Sequence, residues 1–374
     1  MHYPKGSEWR KWDLHIHTPL SIEQNYGGDK PDVWDKFIEH LEKLPEEVKV
    51  IGINDYYFID GYEKVMRDFR FKGRLKNIEK IFPLLEFRID TFGTANQSEL
   101  QKVNLHILFD IDENDFDKEI KRIKEEFIDR INLSGLEIHR TKKLSKGNFI
   151  SCSSNQNLQT GFSEIIPSTS QVFEIISSDT WKNKTFLFLG YKEWHNLEKG
   201  NQLKPFKDNL YNKVHAFFTA SKDDNTSKKE EVLKRFGDKK LLHSSDIHGF
   251  EALKNYQCFT WIKADPTFEG LKQFLFEPER IKIQDTHPQD EFKKSYFSKI
   301  IIGETPIFAN KKVRFKTTHI ELNPNLVAII GGRGSGKSIL LNAIAKMFKK
   351  NKNNSRVDDI SIDNNFMISY TKQD

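Results

Sequence analysis

The most apolar runs of this chain carry histidines and carboxylates, and that combination limits what it can fold into. In Trp12–His17 the polar side chains of Asp13, His15 and His17 alternate with Leu14 and Ile16. On a strand, positions two apart face the same side, so the three polar groups point together. Asp55 ends Val50-Ile51-Gly52-Ile53-Asn54. Glu86 sits inside Pro83-Leu84-Leu85-Glu86-Phe87, and His106 inside Val103-Asn104-Leu105-His106-Ile107-Leu108. Asp246-Ile247-His248 follows the apolar run Lys240–His243 and again sets a carboxylate and an imidazole two apart. One such strand is a solvated face with incidental histidines. Several, each burying a polar group that is costly to leave alone, imply a common site at one end of a barrel or sheet. Two imidazoles on one face are a ready metal pair, and a nearby carboxylate orients a ligand histidine.

The rest of the N-terminal part alternates short β-branched runs with helical periodicity. Strands are expected at Val48–Ile53, Ile81–Ile89, Val103–Phe109, Val172–Ile176, Thr185–Leu189, Ala216–Thr219 and Lys240–His243. Pro31–Leu44 and Asp112–Ile131 have helical spacing, the latter with Phe116, Ile120, Ile123 and Phe127 on one face. Asp265 and Pro266 read as the cap and first turn of another helix. Ser134–Ser170 reads as an irregular insertion. This order predicts an α/β fold with mainly parallel pairing. With 374 residues, two domains are expected, divided at the polar stretch Gln284–Lys294 into 1–290 and 291–374.

Charge follows that division. Glu291–Asp374 holds 15 Lys and Arg against 7 Asp and Glu, a net +8, and the preceding residues hold 44 against 47, a net −3. Either the two units meet different partners, or a Lys-rich bias runs through the chain with Asn and Ile. Two cysteines, Cys152 and Cys258, cannot make a disulfide framework or a CxxC zinc site. No run approaches the roughly 18 apolar residues of a membrane span, and the start has no apolar signal region. The expectation is a cytoplasmic protein with no membrane partner.

The opening Asp13-Leu14-His15-Ile16-His17-Thr18 with Ser21, then Ile51-Gly52-Ile53-Asn54-Asp55, Glu86, His106 and the closing Ser244-Ser245-Asp246-Ile247-His248-Gly249 resemble the PHP (polymerase and histidinol phosphatase) domain over residues 10–290. The resemblance implies a distorted β/α barrel that binds metal ions and hydrolyses phosphoesters. By position it implies a first metal at His15, His17, Glu86 and Asp246, with Glu86 bridging to a second metal also held by His106. Asp55 and His248 join the implied catalytic set. The family's further histidine for the second metal is missing after Thr185–Leu189, where Glu193 would substitute, His195 lies close by, or Lys192 would instead contact a phosphate. Tyr56 replaces a histidine of the third site. One to two ions are therefore expected, and the His and carboxylate ligands suit Mn²⁺, Zn²⁺ or Fe²⁺ better than Mg²⁺.

The second unit carries Gly331-Gly332-Arg333-Gly334-Ser335-Gly336-Lys337-Ser338, which fits the phosphate-loop pattern G-x-x-x-x-G-K-[ST]. An apolar run, Leu326–Ile330, precedes it as an expected strand. An apolar helix, Ser338–Lys349, is expected after it. Gly331, Gly334, Ser335 and Gly336 would turn backbone N–H groups onto ATP phosphates, Lys337 would reach the β- and γ-phosphates, and Ser338 would hold Mg²⁺. The run from Ile320 to Gly331 resembles the opening of ABC/SMC-type ATPase heads, in which Gln373 would be the glutamine that meets Mg²⁺. No apolar strand ending in Asp-Glu and no Ser-Gly-Gly signature loop follows within the sequence. The expected partners are thus a missing C-terminal lobe or partner subunit, and an oligomer through the heads.

A PHP domain followed by such a P-loop resembles bacterial PHP–ATPase fusions of the TrlF-like, phage-defence type. That resemblance implies a nuclease acting on DNA or RNA and gated by nucleotide. The alternatives are a small-molecule phosphatase, or a silent PHP domain serving the ATPase as scaffold or sensor.

Overall fold

The computed structural model describes residues 5–91, 101–134, 140–197, 204–225, 239–291, 294–306, 314–347 and 366–371. Packing divides the chain into two units. One comprises Arg10–Ile262 and Pro266–Asp285, the other Met1–Trp9, Lys263–Asp265 and Thr286–Asp374.

The larger unit is built on a sheet of nine strands. In chain order its elements are β1 (Trp9–Ile16), β2 (Val48–Tyr56), β3 (Lys80–Thr91), β4 (Gln101–Phe109), the short pair β5 (Leu133–Ser134) and β6 (Ile166–Pro167), β7 (Thr185–Gly190), β8 (Ala216–Thr219), β9 (Lys240–His243), β10 (Thr260–Lys263) and β11 (Ile281–Ile283). The sheet order is β11-β10-β1-β2-β3-β4-β7-β8-β9. β1, β2 and β3 run parallel, as do β7, β8 and β9. β4 runs antiparallel to both its neighbours, and β10 to β11. The pairing is therefore mixed, because β3 passes into β4 as a hairpin and not through a crossover.

The sheet curls into a nearly closed, barrel-like α/β fold. The segment after β9 completes the curl against β1. Ile247 bridges Ile16, Ser245 N–H donates to Asp13 Oδ1 at 3.1 Å, and Ser245 Oγ donates to the His15 carbonyl at 3.3 Å. Closure by a few polar contacts in place of a full ladder leaves the ends of β1 and β9 free to turn side chains inward.

Helices pack on the sheet by the periodicity expected. Pro31–Glu42 starts with Pro at its first turn and buries Val33, Trp34, Phe37, Ile38 and Leu41 along one stripe. The segment Glu113–Arg130 is helical throughout but changes winding, with a π-type turn at Ile123–Phe127. Phe116, Ile120, Ile123 and Phe127 all face the core.

Three expectations are corrected. Val172–Ile176 is not a strand but part of the helix Thr169–Ser177, with Val172, Phe173, Ile175 and Ile176 buried at helical spacing. Thr267, not Asp265, caps the next helix, its side chain accepting from Gly270 N–H. The insertion holds two short helices, Lys146–Cys152 and Leu158–Glu164.

The smaller unit contains an antiparallel sheet of β12 (Tyr296–Ile302), β15 (Thr318–Glu321) and β16 (Phe366–Thr371), with β12 central. The short pair β13 (Thr305–Pro306) and β14 (Arg314–Phe315) lies between β12 and β15 in the sequence. The helix Lys337–Met347 contributes Ala343 to a small core with Ile300, Ile302 and Leu322. Leu326–Ile330 is not a strand: β12, β15 and β16 pair among themselves, and the run finds no ladder partner among the described residues. Leu326 and Ile330 are 82% and 88% exposed. Gly334 and Gly336 take φ of 81° and 89°, the left-handed region that glycine enters without strain. Lys337 Nζ folds back to donate to the Gly331 and Gly332 carbonyls at 2.5 and 2.8 Å. Gln373 lies outside the described residues. No helix is long and apolar enough to cross a membrane among the described residues.

Candidate metal centre

The polar side chains singled out in the strands meet at one end of the barrel-like sheet. β1 delivers His15 and, one residue past its end, His17. β3 delivers Glu86 and β4 delivers His106, and these two face each other directly in the ladder. The turn after β9 delivers Asp246 and His248. Adjacent strands thus supply side chains to the same end, where parallel strands finish.

His15 Nε2 lies 3.0 Å from Glu86 Oε2, 3.1 Å from His17 Nε2 and 3.2 Å from Asp246 Oδ1. His17 Nε2 lies 3.2 Å from Glu86 Oε2 and 3.9 Å from Asp246 Oδ1. Bonds of about 2.0–2.2 Å to a tetrahedral ion place ligand atoms about 3.3–3.6 Å apart. His15, His17 and Asp246 therefore form one grouping close enough to share an ion. A second grouping joins the same His15 to Glu86 and His106, and His106 Nδ1 lies 3.8 Å from Glu86 Oε2 and 2.8 Å from Asn54 Nδ2. His15, His17, Glu86 and His106 are buried, whereas the Asp246 side chain is 40% exposed. The open side of the cluster is therefore the Asp246 side. Asp246 itself sits at φ 52°, which is uncommon outside glycine and clusters at functional sites.

The protonation states divide the ligands. Burial pushes His17 down to about 4, with His248 adding to the effect, and pushes His106 down to about 3 against the pull of Glu86. Both are neutral imidazoles at pH 7, the form that binds metal. Burial also opposes protonation of His15, but Asp246 and Glu86 outweigh it and raise the ring to about 9. Burial works to raise Glu86, yet His106 and His15 hold it well below the usual carboxylate range.

Asp55 stands behind this shell. It accepts from Thr18 N–H at 2.7 Å and from Thr18 Oγ1 at 2.6 Å, and its Oδ1 lies 3.9 Å from His17 Nδ1. Burial raises its carboxyl to about 6. Ser21 Oγ lies 3.1 Å from the same His17 nitrogen. His248 stacks on His17 with ring centroids 3.9 Å apart, and its Nε2 lies 3.1 Å from Asp246 Oδ1. Tyr56 stacks on His17 at 5.0 Å. Glu193 is half-buried on the helix Tyr191–Asn196 after β7, and burial, then Glu86 and Asp246, raise its carboxyl. Lys192 is exposed, and His195 stacks on Tyr191.

Two features escaped the sequence. Asp13 accepts from Ser245 N–H and His15 N–H, which ties the Asp246 turn to β1. Gly61 lets the helix Asp60–Lys64 close on Asp55, because a Cβ there would overlap Asp55 Oδ2 and Thr18 Oγ1. A glycine six residues past Asp55 is the one trace of this in the sequence.

The described geometry defines a class: an α/β, barrel-like unit with a buried histidine and carboxylate cluster suited to a divalent cation. No family model matches the chain, and no curated protein matches it.

Proposed function

We propose that this protein is a metal-dependent phosphodiesterase of the PHP type, a nuclease acting on DNA or RNA, gated by the nucleotide-binding loop of its second unit. The observation that carries the reading is the approach of His15 and His17, 3.1 Å apart, to within 3.0–3.9 Å of both Glu86 and Asp246. A divalent ion held there would lower the pKa of a bound water and neutralise phosphate charge. Glu86, within reach of His106, would serve a second ion. Tyr56, which stacks on His17, stands where the PHP resemblance would place a histidine of a third site. These placements favour one or two ions.

The protein's own groups would do the rest. Asp13 and Asp55 fix the turns that carry Asp246 and His17. His248 is pulled down by burial but raised on balance by Asp246. At the half-open rim it would hold a proton for a leaving oxygen. The loop Gly331–Ser338 would cradle ATP phosphates, with Lys337 moving off the loop carbonyls onto them.

The test is cleavage of a phosphodiester by the full chain with Mn²⁺. His15→Ala and Asp246→Asn should each abolish it without loss of the folded state by circular dichroism. Undiminished cleavage in both variants would overturn the assignment.

A further inference from the structure

Arg88 lies two residues beyond Glu86 on β3, so the two side chains share a face of the sheet. It is not a loose surface arginine. Its guanidinium carbon lies 3.8 Å from the Phe162 ring centroid and 5.0 Å from that of Tyr56. Phe162 and Tyr56 are buried, and their centroids are 4.8 Å apart. Tyr56 in turn stacks on His17. Ring contacts therefore run from the cluster histidine His17 through Tyr56 to the Arg88 guanidinium.

Among the described residues, the hydrogen-bond partner of that guanidinium is Glu23 Oε2, at 2.7 Å. A guanidinium has five donors, so most of its capacity is unused. The Glu23 side chain is 47% exposed, against 16% for Arg88. Glu23 rides on the turn that follows His17, and its own carbonyl oxygen lies 3.2 Å from His248 Nδ1. A carboxylate and a phosphate each present a pair of oxygens that the planar fork of arginine can meet with two hydrogen bonds. Glu23, the half-exposed partner, is screened by solvent and holds weakly, so an incoming anion can displace it.

We infer that Arg88 is the anion-recognition residue of this site, taking a phosphate group of the substrate, and that Glu23 is the internal carboxylate that holds the guanidinium until that phosphate displaces it. The inference rests on the phosphodiesterase reading for the substrate class but not for its measurement. Inorganic phosphate is titrated calorimetrically into the full chain loaded with Mn²⁺, at fixed ionic strength, with metal content measured in parallel. Arg88→Gln should weaken phosphate binding about ten- to a hundredfold, the range for a lost charged hydrogen bond, at unchanged metal content. Arg88→Lys should recover part of the loss. Glu23→Gln should tighten binding several-fold, because it removes the competitor. A purely structural ion pair would make Arg88→Gln and Glu23→Gln act in the same direction or leave affinity alone, and either result overturns the inference. Should Arg88→Gln not fold, unchanged affinity in Glu23→Gln alone overturns it. Phosphate binding that depends on Arg88 in a chain that cleaves no phosphodiester would refute the proposed function and leave this inference standing.

Discussion

Gly61→Ala separates a supporting role for Asp55 from an incidental one by the sign of its effect. Gly61 lies in the short helix Asp60–Lys64. In an ordinary helix the change to Ala stabilises by about 1 kcal/mol. Here the added Cβ would overlap both Asp55 Oδ2 and Thr18 Oγ1, the two atoms of a 2.6 Å hydrogen bond. Losing a charged hydrogen bond costs about 1.5–3 kcal/mol, and forcing the backbone apart in a packed site costs about 1–3 kcal/mol more. The expected net is a loss of about 3 kcal/mol, or about 6–12 °C in the melting temperature of a unit of this size. Calorimetric melting of the metal-free chain reads it. Mn²⁺ affinity should fall as well, because the turn bearing His17 is anchored by Thr18. Unchanged or raised stability would show that the Thr18–Asp55 contact supports nothing and that Asp55 does not position the cluster.

Metal affinity should rise with pH. His15, raised from 6.5 to about 9 in the metal-free chain, must release its proton to bind. Affinity should therefore climb about tenfold per unit between pH 6.5 and 9 and level off above, as followed by competition with a chelator. A flat profile would rule out His15 as a ligand. The same shift stabilises the metal-free fold fully below pH 6.5 and lapses as pH rises through 9, so metal-free and metal-loaded melting temperatures should diverge upward across that window. ATP hydrolysis by the 374-residue chain should be weak or nil and should appear, sensitive to Lys337→Ala, only when further ATPase sequence is supplied. Steady turnover by the chain alone, lost in Lys337→Ala, would refute this.

The cluster was legible where chemistry and spacing coincide. Asp13-x-His15-x-His17 and Asp246-x-His248 announce themselves because two-residue spacing on a strand is a geometric statement. Glu86 and His106 were legible because each is a polar residue inside an apolar run, although their direct pairing depends on a hairpin register the sequence does not spell out. Arg88 was not legible. Its partner is 65 residues away in sequence, and its aromatic seat is assembled from β2 and the helix Leu158–Glu164. Val172–Ile176 misled because a five-residue run with four apolar side chains fits a strand or one buried helical face equally well. Leu326–Ile330 misled for another reason: β-branched residues make a strand only where neighbours exist to pair with.

The case for a cation rests finally on what the cluster cannot do without one. His15 Nε2 has three polar neighbours at 3.0–3.2 Å and can offer at most one proton. If it donates to Glu86, the contacts to His17 Nε2 and Asp246 Oδ1 go unserved. Moving the proton to either of those only changes which pair is left facing lone pair to lone pair. Glu86 Oε1, also buried, has no hydrogen-bond partner among the described residues, and an unpaired buried polar group costs about 1–3 kcal/mol. Asp246 adds a strained left-handed backbone, about 1–3 kcal/mol more. Leucine at these positions would satisfy the packing without any of these penalties. A cation held by His15, His17 and Asp246 would take up the competing lone pairs and remove the conflict, which is why the geometry argues for the metal most directly.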